Sequence, residues 1–350
     1  VTALAPFRIG VIGLGVGERH IVGYQEIPGV EVAAVCDIDA AKMAAVAERR
    51  EVSHLHKDYR TLLADPSIDA VSICSHDDAH VEQAVAAFEA GKHVMVEKPI
   101  ALDRPGLDRV IRAWSDSGKR ITSNLILRQS PRFQAVRQMV RDGAFGDLHY
   151  MEGDYLHQIL WKITEGWRGR MPFYCVTYGG GIHLIDLMRW IAGEEIAEVT
   201  AMAAKKVTRD SAFPYPDTMT SLLRFESDLM AKSTTSFAPQ RRQIHALNVY
   251  GTKLSFENAN GPGRLYRGDR PEDEETLRHP LPRHRERRPA PRLHRRHPRG
   301  PRTDRRRAGR VPGDERLLGG LGERREARRG AGAEDRMINR RFGEAESDVF

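Results

Sequence analysis

The chain opens on a short apolar run, Phe7-Arg-Ile-Gly-Val-Ile12, that passes directly into Gly13-Leu-Gly15-Val-Gly17 and then into residues of helical spacing from about Glu18. This order restricts the fold more than any other feature. A buried strand leaves through glycines that permit a tight turn. A helix then begins where N–H groups are free and the macrodipole is positive. Such a turn lets the backbone approach a pyrophosphate closely. Glu18 stands where the third glycine of the common G-x-G-x-x-G spacing would be, which predicts a shortened turn using Gly17. The next strand runs over 30–36 and meets Asp37 at its end. A carboxylate there accepts hydrogen bonds from both ribose hydroxyls and repels a 2′-phosphate, so NAD is expected over NADP. The expected dinucleotide contacts here are Gly13, Gly15, Val16, Gly17 and Asp37.

Strand and helix patterns keep alternating after that turn: helix 40–50, strand 70–74, helix 80–90, strand 93–97, helix 107–117, strand 120–123. The alternation predicts βαβ units and a parallel sheet, and continuous apolar strands predict a sheet covered on both faces. After Asn124 the pattern changes. A helix over 131–142 and a strand over 147–155 precede a Gly-rich turn, Gly179–Gly181, that leads into a helix through Ile191. Strands at 198–207, 218–225, 229–237, 244–250 and 253–257 then follow one another with short turns, the pattern of an antiparallel sheet in a second, α+β domain. The expected division is 1–123, 124–270 and a tail, 271–350.

Charge separates that tail from the rest. Residues 278–341 hold 22 Arg, no Lys and 8 acidic residues, a balance of +14 in a chain of +7, so the other 286 residues carry −7. The segment has no Phe, Tyr or Trp, and it has seven Pro and eight Gly. It cannot bury enough apolar surface to offset its ordering entropy and is expected to be disordered. Arginine without lysine is the composition of a GC-rich gene read out of frame, so a frameshift near 275–283 is expected, and the nucleotide sequence tests it. The rival reading is an Arg-rich nucleic-acid-binding arm. The segment lacks aromatic residues to stack on bases, so no specific nucleic-acid partner is expected. The three cysteines fit neither a disulfide framework nor a zinc spacing, so no metal is expected. No run approaches the ~18 apolar residues of a membrane span, and no secretory signal pattern is present. A cytoplasmic protein without membrane contact is expected. The chain begins on Val1 rather than Met, which reads as a few missing upstream residues.

In Gly91-Lys-His-Val-Met-Val-Glu97-Lys98-Pro99, a lysine lies just past the carboxyl end of a strand, where open α/β sheets bind ligands. An ammonium there could hold a substrate hydroxyl and stabilise negative charge on its oxygen. Alone, an isolated Lys-Pro reads rather as a surface lysine in a loop. Taken with Gly13-x-Gly15 and His20, Asp37, Ser75-His-Asp-Asp-Ala-His80, Asn124-Leu-Ile-Leu-Arg128 and Gly179-Gly-Gly-Ile-His183-Leu-Ile-Asp186, the sequence resembles the glucose–fructose oxidoreductase/inositol dehydrogenase (Gfo/Idh/MocA) family over roughly 7–260.

The resemblance implies an α/β Rossmann domain and an α+β domain with an open-faced, mainly antiparallel sheet, followed here by the Arg-rich tail. It implies a nicotinamide cofactor, a sugar, cyclitol or related polyol as substrate, and a dimer or tetramer built through the sheet. It places Lys98 and His183 on either side of the reacting carbon as catalytic residues. It adds Ser75, His76, His80, Glu97 and Lys98 to the cofactor contacts. Histidine suits the proton exchange because its ordinary pKa of ~6.5 lies near working pH. Many family members have an aspartate four residues before this histidine, where this chain has Gly179; the usual Thr-Pro-Asn after the strand at 70–74 reads Ser75-His76-Asp77. Asn124 and Arg128 are expected beside the nicotinamide. Tyr155, His157, Trp161, Trp167 and Arg168 form a cluster that reads equally as aromatic faces suited to a sugar or as a loop packed on the sheet, with Tyr174 and Tyr178 of similar standing. Asp186 could orient His183, touch substrate or form a helix-face salt bridge. A protein that binds NAD(H) without turnover is the alternative to the enzyme.

Overall fold

A computed structural model describes residues 5–241, 243–258 and 261–277, and the readings made of 278–341 fall outside them. Six parallel strands form the first sheet: β1 (Phe7–Ile12), β2 (Val30–Cys36), β3 (His54–His56), β4 (Ala70–Ile73), β5 (His93–Val96) and β6 (Ile121–Ser123). Their order is β3-β2-β1-β4-β5-β6. It reverses between β1 and β4, and ligands of open α/β sheets sit at that reversal. The connecting helices are α1 (Gly17–Gln25), α2 (Ala40–Arg50), α3 (Tyr59–Leu63), α4 (His80–Glu89) and α5 (Arg104–Ser117). Val11, Val71, Ile73, Val94 and Val96 are fully buried, as strands covered on both faces require. Two short elements, β3 and α3, escaped the periodicity because three and five residues carry too little pattern. Helix α5 starts earlier than its apolar spacing indicated. Asp103 caps it by accepting from the Gly106 N–H at 2.7 Å, and Pro105 fits its first turn.

The second sheet has eight strands: β7 (Leu148–Leu156), β8 (Ile196–Ala204), β9 (Thr218–Phe225), β10 (Met230–Ser236), β11 (Ile244–Gly251), β12 (Ser255–Asn258), β13 (Gly263–Tyr266) and β14 (Glu274–Leu277). Their order is β14-β13-β12-β11-β7-β10-β9-β8, antiparallel throughout except for the β7–β10 pair. Strand β14 falls inside the segment expected as tail, since pairing with β13 uses backbone groups that side-chain composition does not report. Helices α6 (Pro131–Arg141), α7 (Trp161–Thr164) and α8 (Ile182–Ala192) belong to this half. Gly153 of β7 lets α8 lie close, because a Cβ there would press on Met188 and Leu184. Phe133, Val136, Met151, Leu187 and Phe256 fill the layer between helices and sheet. Strand β8 is exposed along most of its length, and Val199, Met202, Leu222 and Met230 present apolar side chains to solvent.

Candidate active site

The glycine turn is shaped by contact with β4. Gly13 has φ +84°, and a Cβ on it would lie 2.5 Å from the Ser75 nitrogen. Gly17 opens α1 and packs the helix on the sheet, a Cβ there standing 3.0 Å from Val11 and 3.2 Å from Cys74. Glu18 is turned away and pairs with Arg49 and Arg50 at 3.2 and 2.9 Å. A Cβ at Gly15 would meet nothing within 4 Å, so the turn keeps open space there. Asp37 is buried and accepts from the Leu14 N–H at 2.7 Å, the Asp39 N–H at 2.9 Å and Lys42 Nζ at 2.8 Å. Burial pushes its carboxyl up, but Lys42 and the two N–H groups outweigh that and hold it below the ordinary value. An open glycine turn before a helix start, with an ionised carboxylate at the end of the neighbouring strand, fits a dinucleotide.

At the end of β5, Glu97 is buried in a polar knot. Its Oε1 accepts from Asn124 Nδ2 at 2.6 Å and lies 3.1 Å from His20 Nε2; its Oε2 accepts from the Lys98 N–H at 3.3 Å. The other His20 nitrogen faces Ser72 Oγ at 2.9 Å. Burial pushes Glu97 up, yet His20, Asn124 and Lys98 bring it down to about 2. Burial lowers the His20 imidazolium, and the Cys74 sulfur and the Glu97 carboxylate more than reverse this, raising it to about 10. The knot fixes the backbone from which Lys98 leaves. The Lys98–Pro99 bond is cis. Lys98 Nζ donates to the Gly179 carbonyl at 2.6 Å, so the lysine of the first sheet reaches the glycine turn of the second half.

That turn, Thr177–Gly181, is a π-type turn leading into α8. Its three glycines are each required: a Cβ at 179, 180 or 181 would overlap Tyr174, Tyr155 or Thr235. His183 follows in the first turn of α8. It is buried, with its ring 6.5 Å from that of Tyr155 and 5.8 Å from that of His245. Lys98, Asn124, Tyr155, Arg168 and His183 all line one cavity of about 190 Å³, beside Val16, Ser75 and Glu97 of the dinucleotide side. The volume is below the ~300–1,000 Å³ of drug-sized sites and suits a single small ring.

Family models match both halves of the chain: one described as "Oxidoreductase family, NAD-binding Rossmann fold" over residues 7–125, and "GFO/IDH/MocA C-terminal domain" over 133–257. An uncharacterized oxidoreductase, YrbE, of Bacillus subtilis (strain 168) is 31% identical over 256 residues, 70% of this chain and 72% of its own. The chain belongs to the GFO/IDH/MocA oxidoreductase family. Within that family, the myo-inositol 2-dehydrogenase of Thermotoga maritima is 29% identical over 74% of each chain. The same fold recurs in scyllo-inositol dehydrogenase from Lactobacillus casei with bound NAD(H) and scyllo-inositol. There the TM-score is 0.68 at 22% identity, covering 77% of this chain and 82% of that one. It recurs also in levoglucosan dehydrogenase with NADH and levoglucosan, at TM-score 0.70 and 22% identity over 77% and 79%.

Not every expected residue of this family member meets at the cavity. His80 is fully buried; its ring nitrogens face the Pro99 carbonyl at 2.7 Å and the Ser75 carbonyl at 3.3 Å, so it ties two site loops together from behind. His76 stacks on Trp167 at 4.1 Å, and the Arg168 guanidinium also lies over that indole at 4.1 Å, which joins the two halves at the cavity rim. Burial holds the His76 imidazole below its ordinary value, against the pull of Asp78 and Asp77. Arg128 and Asp186 bind each other bidentately at 2.6 and 2.8 Å, away from the cavity lining. Of the readings open for Asp186, the salt bridge is the arrangement observed. Trp161 is 56% exposed, and its neighbour Lys162 lines the cavity instead.

Sequence reasoning missed Asp77, Lys162 and His245. Burial pushes the Asp77 carboxyl up, against the pull of Arg168. His245 carried a usable signal: it shares the face of β11 with the buried Leu247 and Val249, and its cross-strand partner is Tyr155. A polar residue in an apolar alternation is informative. Among the described residues no group of three His, Cys, Asp or Glu is placed to hold a metal ion, and no helix is long and apolar enough to cross a membrane.

Proposed function

We propose that this protein is an NAD-dependent dehydrogenase acting on a secondary hydroxyl of a sugar, cyclitol or related polyol. One observation carries the reading: Lys98, past the end of β5, and His183, at the start of α8, line the same cavity as the dinucleotide turn. When bound, the nicotinamide supplies the two-electron acceptor or donor for hydride. The protein supplies the rest. The Lys98 ammonium holds the substrate oxygen and stabilises its developing negative charge. His183 takes or returns the hydroxyl proton. Tyr155 and Phe237 give the ring an apolar wall, and Asn124, His157 and His245 offer hydrogen bonds. The relatives named inositol 2-dehydrogenase support a polyol substrate, and the buried, ionised Asp37 supports NAD over NADP. We assign residues 1–123 to cofactor binding and 124–270 to substrate. The exposed apolar side chains on β8, β9 and β10 support self-association through the open sheet face, which light scattering on the purified chain reads directly. Free cysteines support a reducing, cytoplasmic setting.

The test is a panel of sugars and cyclitols followed by NADH absorbance, with Lys98→Ala beside the wild type. The reading requires polyol-dependent NADH formation, lost at least ~100-fold in Lys98→Ala, with NADH binding retained. Binding of NADH without turnover of any polyol would select the non-catalytic alternative.

A further inference from the structure

Asp77 has no role in the chemistry above, yet it lines the cavity beside Lys98, Arg168 and His183. It opens the short 3-10 turn Asp77–Ala79 between β4 and α4, directly after His76, whose ring is stacked on Trp167. The residue is only 5% exposed. A carboxyl at the start of such a turn ordinarily bonds the free N–H groups that follow it. This one does not: among the described residues, no hydrogen bond or ion pair reaches its side chain.

The two carboxyl oxygens keep accessible surface, unlike the sealed Tyr174 hydroxyl, and the space they border is the cavity. Burial pushes the carboxyl up, and the charges of Arg168, His80 and Lys98 oppose this without outweighing it. A desolvated carboxyl with no bond of its own is costly and calls for a partner that the protein does not supply. A polyol supplies one, since a carboxylate accepts at both oxygens and two neighbouring ring hydroxyls can each donate an O–H. Lys98, which holds the reacting oxygen, is among the charged neighbours of Asp77, so the hydroxyls in its reach are those beside that oxygen.

We propose that Asp77 is a substrate-binding residue whose carboxylate accepts from two neighbouring hydroxyls of the polyol ring, next to the one held by Lys98. This rests on the polyol dehydrogenase reading and narrows its substrate class: the ring carries an adjacent pair of hydroxyls besides the one oxidised.

The test compares wild type with Asp77→Asn on myo-inositol, scyllo-inositol, levoglucosan and D-glucose, and on monodeoxy analogues of whichever is turned over fastest. Asp77→Asn should lose about 10- to 100-fold in kcat/KM, mainly through KM, and Asp77→Ala at least as much. The wild type should lose most on the two analogues that lack a bonded hydroxyl, and on those two the variants should lose little further. NADH affinity, by calorimetry, should stay within twofold. The melting temperature should be higher or fall by no more than about 3 °C, since an unbonded buried charge is removed. A polyol KM within twofold of wild type in both variants would overturn the proposal alone. So would a parallel loss of NADH affinity, which would move the carboxylate to the nicotinamide ribose. A larger fall in melting temperature would do the same, by marking a structural pairing with Arg168, as would an undiminished further loss on every deoxy analogue. A wild type that neither turns over nor, by calorimetry with NADH present, binds any of the four compounds would overturn both this proposal and the reading beneath it.

Discussion

Replacing Glu97 by Gln keeps the shape of a buried side chain and removes its charge. In the native protein that charge faces His20 at 3.1 Å, with side-chain exposures of 12% and 6%. Holding the carboxyl at about 2 instead of 4.5 is worth ~3 kcal/mol at ~1.4 kcal/mol per pH unit. The His20 side, about 10 against 6.5, reads nearer ~5 kcal/mol because the Cys74 sulfur, 3.5 Å from its Nδ1, adds to it. These are two views of one interaction and do not add. The smaller figure is the carboxylate's own share, and it agrees with the ~3–5 kcal/mol lost when one partner of a buried pair is removed. For a folded body of this size, ~3 kcal/mol lowers Tm by about 6–12 °C.

The pH dependence makes that figure specific. Glu97 has a depressed folded pKa, so its contribution is present above 4.5 and is lost as pH falls through about 2. His20 has a raised one, so its contribution is full below 6.5 and is lost as pH rises through about 10. The gap between wild type and Glu97→Gln should therefore be widest from pH 4.5 to 6.5 and nearly closed by pH 10. Thermal unfolding by circular dichroism at pH 5.5, 7.5 and 9.5, at fixed ionic strength, measures it. A gap that does not change with pH, or one under about 2 °C at pH 5.5, would refute the charged-pair account.

Asp37→Ala should weaken NADH binding about tenfold and narrow the preference over NADPH, read by fluorescence titration with both. Asp186→Ala removes the buried carboxylate that Arg128 binds bidentately and should cost ~3–5 kcal/mol of stability, while the KM of the surviving enzyme stays within about twofold; a large KM effect would return Asp186 to the substrate. Gly13→Ala puts a Cβ against the Ser75 backbone and should abolish NADH binding or folding, whereas Gly29→Ala, also at positive φ but with no close atom around its Cβ, should cost ~1 kcal/mol and leave binding intact. Calorimetric NADH titration of both variants separates strain from collision.

The first half of the fold was legible because its determinants are local. Strand, glycine turn, helix and Asp37 follow one another within the first 37 residues, and each is specified by neighbours in the chain. Lys98 and His183 were legible as types of residue in suggestive places. The departure from the usual glycine spacing, with Glu18 in the third glycine's place, was also readable, since Gly17 could take over helix packing.

What the chain order could not state is which distant side chains share a volume. Tyr155 meets His245 because β7 and β11 pair in one register, and a shift of one residue would send either ring to the opposite face. Arg128 and Asp186, 58 residues apart, pair with each other outside the cavity lining, while Tyr174 packs into the space left by a missing side chain at 179. Sequence by itself determined the longer elements, the dinucleotide turn and the chemical groups on hand, because propensity, capping and periodicity act over a few residues. Tertiary structure alone decided which of those groups face one another, because that depends on strand register and on where buried charges find partners.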